Sequence, residues 1–105
     1  MGSRAGGGAA GGMGSGLRGY SGATQSLYNA IGSGNKSAIG KATEKLKNAI
    51  SKMSTEQVKA FAASSSDAVF FSSKQNTPKS EYSATTYKYN KTLAKLLNAE
   101  ANRRT

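Results

Sequence analysis

Residues 36 to 53, KSAIGKATEKLKNAISKM, decide the fold. Ile39, Ala42, Leu46, Ala49, Ile50 and Met53 recur at spacings of three, four and seven, the signature of one apolar face on an α-helix. Lys41, Lys45 and Lys52 fall together on a different face at about 100° per residue. Gly40 weakens this helix by roughly 1 kcal/mol relative to alanine.

Downstream, Ser54 with Gln57 has the Ser-x-x-Gln form of a capping box, so a third helix is expected from there, turning Val58, Phe61 and Ala62 inward. The stretch from 64 to 79, SSSDAVFFSSKQNTPK, fits two readings. Its apolar run Val69, Phe70 and Phe71 suits a buried strand or a buried half-turn equally. Pro78 ends regular structure, and Ser80 is placed to cap a long final helix in which Tyr82, Tyr89 and Leu96 sit seven apart, interleaved with Thr86, Leu93 and Glu100. Upstream, SGATQSLYNAIGSG reads as a helix of about two turns, capped by Ser21 or Thr24, with Leu27, Tyr28 and Ile31 to one side and Gly32 to Gly34 as its stop.

All 13 glycines lie at or before Gly40. Residues 1 to 20, MGSRAGGGAAGGMGSGLRGY, are costly to order at that density and are expected to form a flexible arm. The fold class expected is mostly α: a small three- to four-helix domain over residues 21 to 105 behind a glycine-rich arm over 1 to 20. Its expected core is Leu27, Ile31, Ile39, Leu46, Ile50, Val58, Phe61, Phe70, Leu93 and Leu97. A core of that size gives marginal stability unless a partner or a second copy adds to it.

The 105 residues carry 15 Lys and Arg against 5 Asp and Glu, a formal charge of +10. Residues 36 to 105 hold 13 of those basic residues and all five acids, so most of the positive field belongs to the helical part. Such a balance points toward polyanions. There is no Cys and no His, which removes disulfides, thiolate zinc sites and the commonest catalytic base. Glu44, Glu56, Asp67, Glu81 and Glu100 are scattered without the spacing of a metal pair or an acid/base pair, so no catalytic residue, metal or cofactor is expected. No apolar run approaches the roughly 20 residues of a membrane span, and the glycine-rich start does not read as a signal peptide. The expected location is the cytoplasm.

Two glycine motifs lack their context. Gly14, Gly16 and Gly19 form a GxGxxG without the preceding strand and following acid of a dinucleotide site. Gly32 to Ser37, GSGNKS, departs from a phosphate loop because Asn35 stands where glycine is needed. A glycine turn opening a helix beside Lys36 can still act as an anion nest, or be an ordinary turn.

Two basic patterns point to binding. The lysine face of Lys41, Lys45 and Lys52, with Lys47 and Lys59 nearby, is interrupted between 41 and 52 only by Glu44, and gains by releasing counterions from a phosphate backbone. The plain alternative is a solvated helix face. Tyr82, Tyr87 and Tyr89 with Lys88, Lys91 and Lys95 alternate rings and cations as single-strand-binding surfaces do; alternatively Tyr82 and Tyr89 belong to the core and Tyr87 alone is exposed. Arg103 and Arg104 either add phosphate contacts or favour the C-terminal end of the helix dipole.

The opening MGSRAGGG through Gly16 resembles the glycine-rich starts of small proteins encoded by phages and mobile elements. LRGYSGATQSLYNAIGSGN followed by KATEKLKNAISK resembles the N-terminal helical part of phage-type ADP-ribosyltransferase domains over residues 17 to 52. That family continues with a cofactor-binding Arg, a Ser-Thr-Ser strand and a Glu-x-Glu loop. Here no Arg lies between Arg18 and Arg103 and there is no Glu-x-Glu, so the resemblance implies a reused helical layer without transferase activity.

The function expected is therefore non-enzymatic: a basic protein of phage or mobile-element type, acting in the host cell on nucleic acid or a host nucleoprotein complex, with inhibition of a host defence nuclease as a role by analogy. Its expected contacts are Lys36, Lys41, Lys45, Lys52, Lys59, Tyr87, Lys88, Arg103 and Arg104. The competing expectation is a virion-associated structural or assembly protein that forms homo-oligomers through Tyr82, Tyr89, Leu93 and Leu96.

Overall fold

A computed structural model describes residues 11 to 105, with side chains from Leu17 onward, and the described residues form four helices and no strand. They are α1 (Gly11–Ser33), α2 (Lys36–Ser51), α3 (Thr55–Ser72) and α4 (Ala84–Arg104). Gly34 turns the chain between α1 and α2 with φ of 73°, the left-handed conformation that glycine adopts without penalty at a helix end. Its amide donates to the Ile31 carbonyl at 3.2 Å. Asn35 then caps α2, its side chain accepting from the Ala38 amide at 3.1 Å.

The expected capping box is present. The Ser54 hydroxyl accepts from the Gln57 amide at 3.1 Å, and the Gln57 side chain accepts from the Ser54 amide at 3.1 Å. Two tight connections thus organise α1, α2 and α3, while the longer segment 73 to 83 joins α3 to α4. The α1–α2 and α3–α4 hairpins are the closest packed pairs, and α4 also lies against α1 and α2.

Leu27, Leu46, Ile50, Val58 and Leu97 are fully buried, and Ala23, Ile31, Ala42, Met53, Ala62 and Leu93 complete the centre. Small residues let the helices approach closely, and leucine and isoleucine fill the space between them. Ile39 and Phe61 belong to the rim of the core, half-buried. Tyr20 stacks on Phe61 at 5.1 Å between ring centroids, and burial pushes its hydroxyl up to about 12, helped by nearby Tyr89.

Several expectations are corrected. The upstream helix is not two turns capped by Ser21 or Thr24: α1 has 23 residues and runs through both positions. Thr24 donates backward to the Ser21 carbonyl at 2.9 Å inside the helix. Burial of Ala23 and Leu27 and the Tyr20–Phe61 stack hold a stretch whose glycines disfavour helix. The expected arm over 1 to 20 meets this helix at Gly11; residues 1 to 10 lie outside the described residues. The open choice at 64 to 79 resolves as helix through Ser72. Phe70, expected in the core, is 57% exposed, and Phe71 is 66% exposed. Neighbouring helical residues are about 100° apart, and the inward arc of α3 at this level is taken by Ser65 and Val69. The final helix is capped by Ser83 rather than Ser80, with the Ser83 hydroxyl accepting from the Thr86 amide at 3.2 Å. The Glu81 and Tyr82 amides are bound instead to the Pro78 carbonyl in a turn, so Tyr82 lies outside α4.

Candidate nucleic-acid interface

Every lysine of the chain lies within the described residues and is exposed. The ion pairs among the described residues both involve Glu100, with Arg103 and Arg104. No lysine is therefore neutralised by a carboxylate partner among them, the electrostatic condition under which a polyanion gains most.

Along α2, Lys41 and Lys45 lie one turn apart. With Ser26, Asn29 and Ser33 of α1 they border a shallow groove of about 520 Å³ whose floor includes Ala30 and Ala42. The alanines lower the floor and the lysines raise one wall. Lys52 continues the stripe at the C-cap of α2, so the three lysines span about 16 Å of helix axis. Lys59 is exposed on α3 and belongs to another helix. Lys47, on the opposite flank of α2, shares a smaller groove with Leu96 and Arg103.

Lys36 is the first residue of α2, where the sequence suggested an anion nest. Asn35 already accepts two of the amides there, that of Ala38 on its side chain and that of Ile39 on its carbonyl. Arg103 is exposed and its guanidinium holds Glu100 at 2.9 Å and 2.5 Å. Arg104 has a different task. Its guanidinium is mostly buried and donates to the carbonyls of Met53 at 2.8 Å, Ile50 at 3.2 Å and Ser51 at 3.2 Å, and to Glu100 at 2.6 Å. It closes the C-terminal end of α2, supplying a donor to the Ser51 and Met53 carbonyls and a second one to that of Ile50, which also accepts from the Met53 amide at 3.0 Å. The arginines in turn hold the Glu100 carboxyl down at about 2, Arg103 contributing most.

The aromatic and cationic alternation of α4 is divided by the fold. Tyr89 meets Tyr28 of α1 edge to face at 5.2 Å, and the Tyr28 hydroxyl lies 3.3 Å from that of Thr86. Leu93 is buried and Leu96 packs against the core; the side chains expected to mediate self-association are thus engaged within their own chain. Tyr87 is half-buried, with its ring 6.2 Å from that of Tyr82, and Lys88 beside it is exposed. Two features escaped the sequence reading. The Lys74 ammonium sits 5.5 Å from the centroid of Tyr82, and the rings of Phe70 and Phe71 meet edge to face at 5.2 Å on the surface. The Phe-Phe pair could have been found, because adjacent helical positions cannot both face one core. The Lys74 contact depends on the turn at Pro78 and carries no sequence signal.

Among the described residues no cluster of acidic side chains is placed to hold a metal ion, and no helix is long and apolar enough to cross a membrane. Fold and surface together define a four-helix protein with an unneutralised basic exterior. Comparison of the chain with protein-family models, curated proteins and solved structures finds no match.

Proposed function

We propose that this chain is a non-enzymatic nucleic-acid-binding protein that grips the phosphate backbone through the lysine stripe of α2. The observation that supports this most is the charge: 11 exposed lysines, none in an ion pair among the described residues. Lys41, Lys45 and Lys52 supply the contacts, and Lys36 and Lys59 add to the field that draws the polymer in. Contacts of this kind position a polymer without reading its sequence. A phage or mobile-element setting, with occlusion of a host nuclease's nucleic-acid channel as the outcome, belongs to the same proposal.

The test is fluorescence anisotropy with a labelled duplex oligonucleotide over a salt series. Affinity should fall steeply between about 50 and 200 mM salt, and replacing Lys41, Lys45 and Lys52 together with glutamine should reduce the slope of log K against log salt by about 2.7. A flat salt response would refute the reading. Recovery from lysate of a nuclease-resistant protein complex, with no nucleic acid, would redirect it to an acidic protein surface.

A further inference from the structure

The α3–α4 hairpin has an outer face that the α2 stripe does not account for. On α3, Lys59, Ala63, Ser66 and Phe70 share one line, being spaced i, i+4, i+7 and i+11, and all four are exposed. On α4, Tyr87, Lys91, Ala94 and Asn98 share a line at the same spacing. One bond joins the two lines, the Asn98 side-chain amide donating to the Ser66 hydroxyl at 3.2 Å, and a second, off both lines, runs from the Asn90 side-chain amide to the Ser72 hydroxyl at 3.2 Å. This antiparallel register brings the end of α3 beside the start of α4. Phe70 therefore lies about level with Leu93, roughly 8 Å along the axis from Tyr87, and Tyr87 and Tyr82 lie beyond it toward the same end of the hairpin, with Lys74 against Tyr82 and Lys88 and Lys91 on the adjoining turn of α4.

Exposing a phenylalanine this far is unfavourable for a chain whose core is small. The two exposed faces of Phe70 and Phe71 present roughly 250 Å² of apolar surface. That is far below the roughly 800 Å² per partner of a stable protein interface, but it is the scale of a base stacked on a ring. Charge favours the same occupant: from residue 67 to 95 there are five lysines and two acids, Asp67 and Glu81.

We propose that this aromatic end of the α3–α4 hairpin is a stacking surface for single-stranded nucleic acid, with unpaired bases on Phe70, Tyr82 and Tyr87 and their phosphates on Lys74, Lys88 and Lys91. A paired base inside a duplex hides both faces in its own stack, so this surface selects strands that are open. The proposal rests on the polyanion reading of the preceding subsection and adds to it the form of the polymer. The α2 stripe holds backbone of either kind; the hairpin end distinguishes single strands from duplex.

The experiment compares three fluorescent probes on the full chain: oligo(dT), a duplex of equal length, and heparin, a polyanion without bases. Phe70→Ala should weaken oligo(dT) binding by roughly 5- to 150-fold, the loss typical of one stacked base. Phe70→Leu, which keeps the apolar character but not the ring, should lose nearly as much. Duplex and heparin affinities should be unchanged in both variants. Because the chain has five tyrosines and no tryptophan, its tyrosine emission gives a second readout, which oligo(dT) should quench and heparin should not. Circular dichroism melts verify that the variants are folded. The stacking surface is refuted if Phe70→Ala and Phe70→Leu bind oligo(dT) like the parent while heparin and duplex still bind, a result that leaves the α2 stripe standing. It is equally refuted if Phe70→Ala abolishes a concentration-dependent dimer instead. Failure of the parent to bind any of the three probes at low salt removes both proposals together.

Discussion

Replacing Arg104 with alanine tests how the two ends of this fold are joined. Arg104 stands at the end of α4 yet donates to three carbonyls more than 45 positions earlier, those of Ile50, Ser51 and Met53. Hydrogen bonds to a charged group contribute roughly 1.5 to 3 kcal/mol each. Taking the lower figure for all three carbonyls and subtracting about 2 kcal/mol for fixing an arginine side chain leaves a net loss of about 2 to 3 kcal/mol. A domain of this size has a total stability on the order of 5 to 10 kcal/mol, so the variant should remain folded but lose a large share of its margin. With an m-value of about 1 kcal/mol/M in urea, the unfolding midpoint should fall by about 2 to 3 M, read by circular dichroism at the helical band. Arg104→Lys should recover part of the loss, since an ammonium keeps the charge at the helix end but cannot reach three carbonyls at once. Arg103→Ala serves as the comparison: that side chain is 67% exposed and contacts Glu100 alone, and an exposed pair of this kind contributes little, so its midpoint should fall by less than half as much as that of Arg104→Ala. A shift below about 0.5 M for Arg104→Ala would refute the assignment of the guanidinium as the closure of α2. Below its midpoint the variant should retain its affinity for nucleic acid, because the guanidinium faces carbonyls.

Three further expectations follow from the packing. Leu46→Ala empties a fully buried position between the helices and should cost about 3 to 5 kcal/mol in denaturant unfolding. Gly40→Ala and Gly34→Ala should move stability in opposite directions: a methyl group at either meets nothing within 4 Å, but Gly40 is helical and Gly34 has φ of +73°, so the first gains up to about 1 kcal/mol and the second loses about as much. Thermal melts on the pair are decisive, since equal signs would contradict the turn geometry. The folded state holds the Glu100 carboxyl at about 2, against an ordinary value of 4.5, so ionised Glu100 favours folding. That contribution is complete above about pH 4.5 and fades as pH falls toward about 2. Melting temperatures over this range should decline in the parent more than in Glu100→Gln, and parallel profiles would contradict the assignment.

The parts of this structure that were legible in the sequence are those fixed by neighbours in the chain. The spacing of Ala42, Leu46 and Ile50 and the Ser54 and Gln57 box specify α2 and the start of α3 from within a few residues. What could not be read depends on partners far away. Glycine content argues for an arm up to Tyr20, while the stack of Tyr20 on Phe61 and the burial of Ala23 argue for helix, and only the folded chain brings Phe61 to Tyr20. Ser80 and Ser83 are both plausible caps until the turn at Pro78 captures the Glu81 and Tyr82 amides. For the candidate interface, the lysine stripe followed from periodicity alone. The gathering of Phe70, Tyr82 and Lys74 required the register of α3 on α4, and the service of Arg104 to α2 required the closure of the whole bundle.

The division into two tightly packed helical hairpins carries a consequence for how the molecule opens. Helices that pack mainly on their sequence neighbours form cooperative units that can unfold separately at a free energy below that of the whole. Here the α1–α2 and α3–α4 pairs share one buried centre, and at its edges they are joined by Tyr20 on Phe61, Tyr28 on Tyr89 and Arg104 on the end of α2. Amide exchange should therefore resolve two blocks of protection meeting near Lys52 to Ser54.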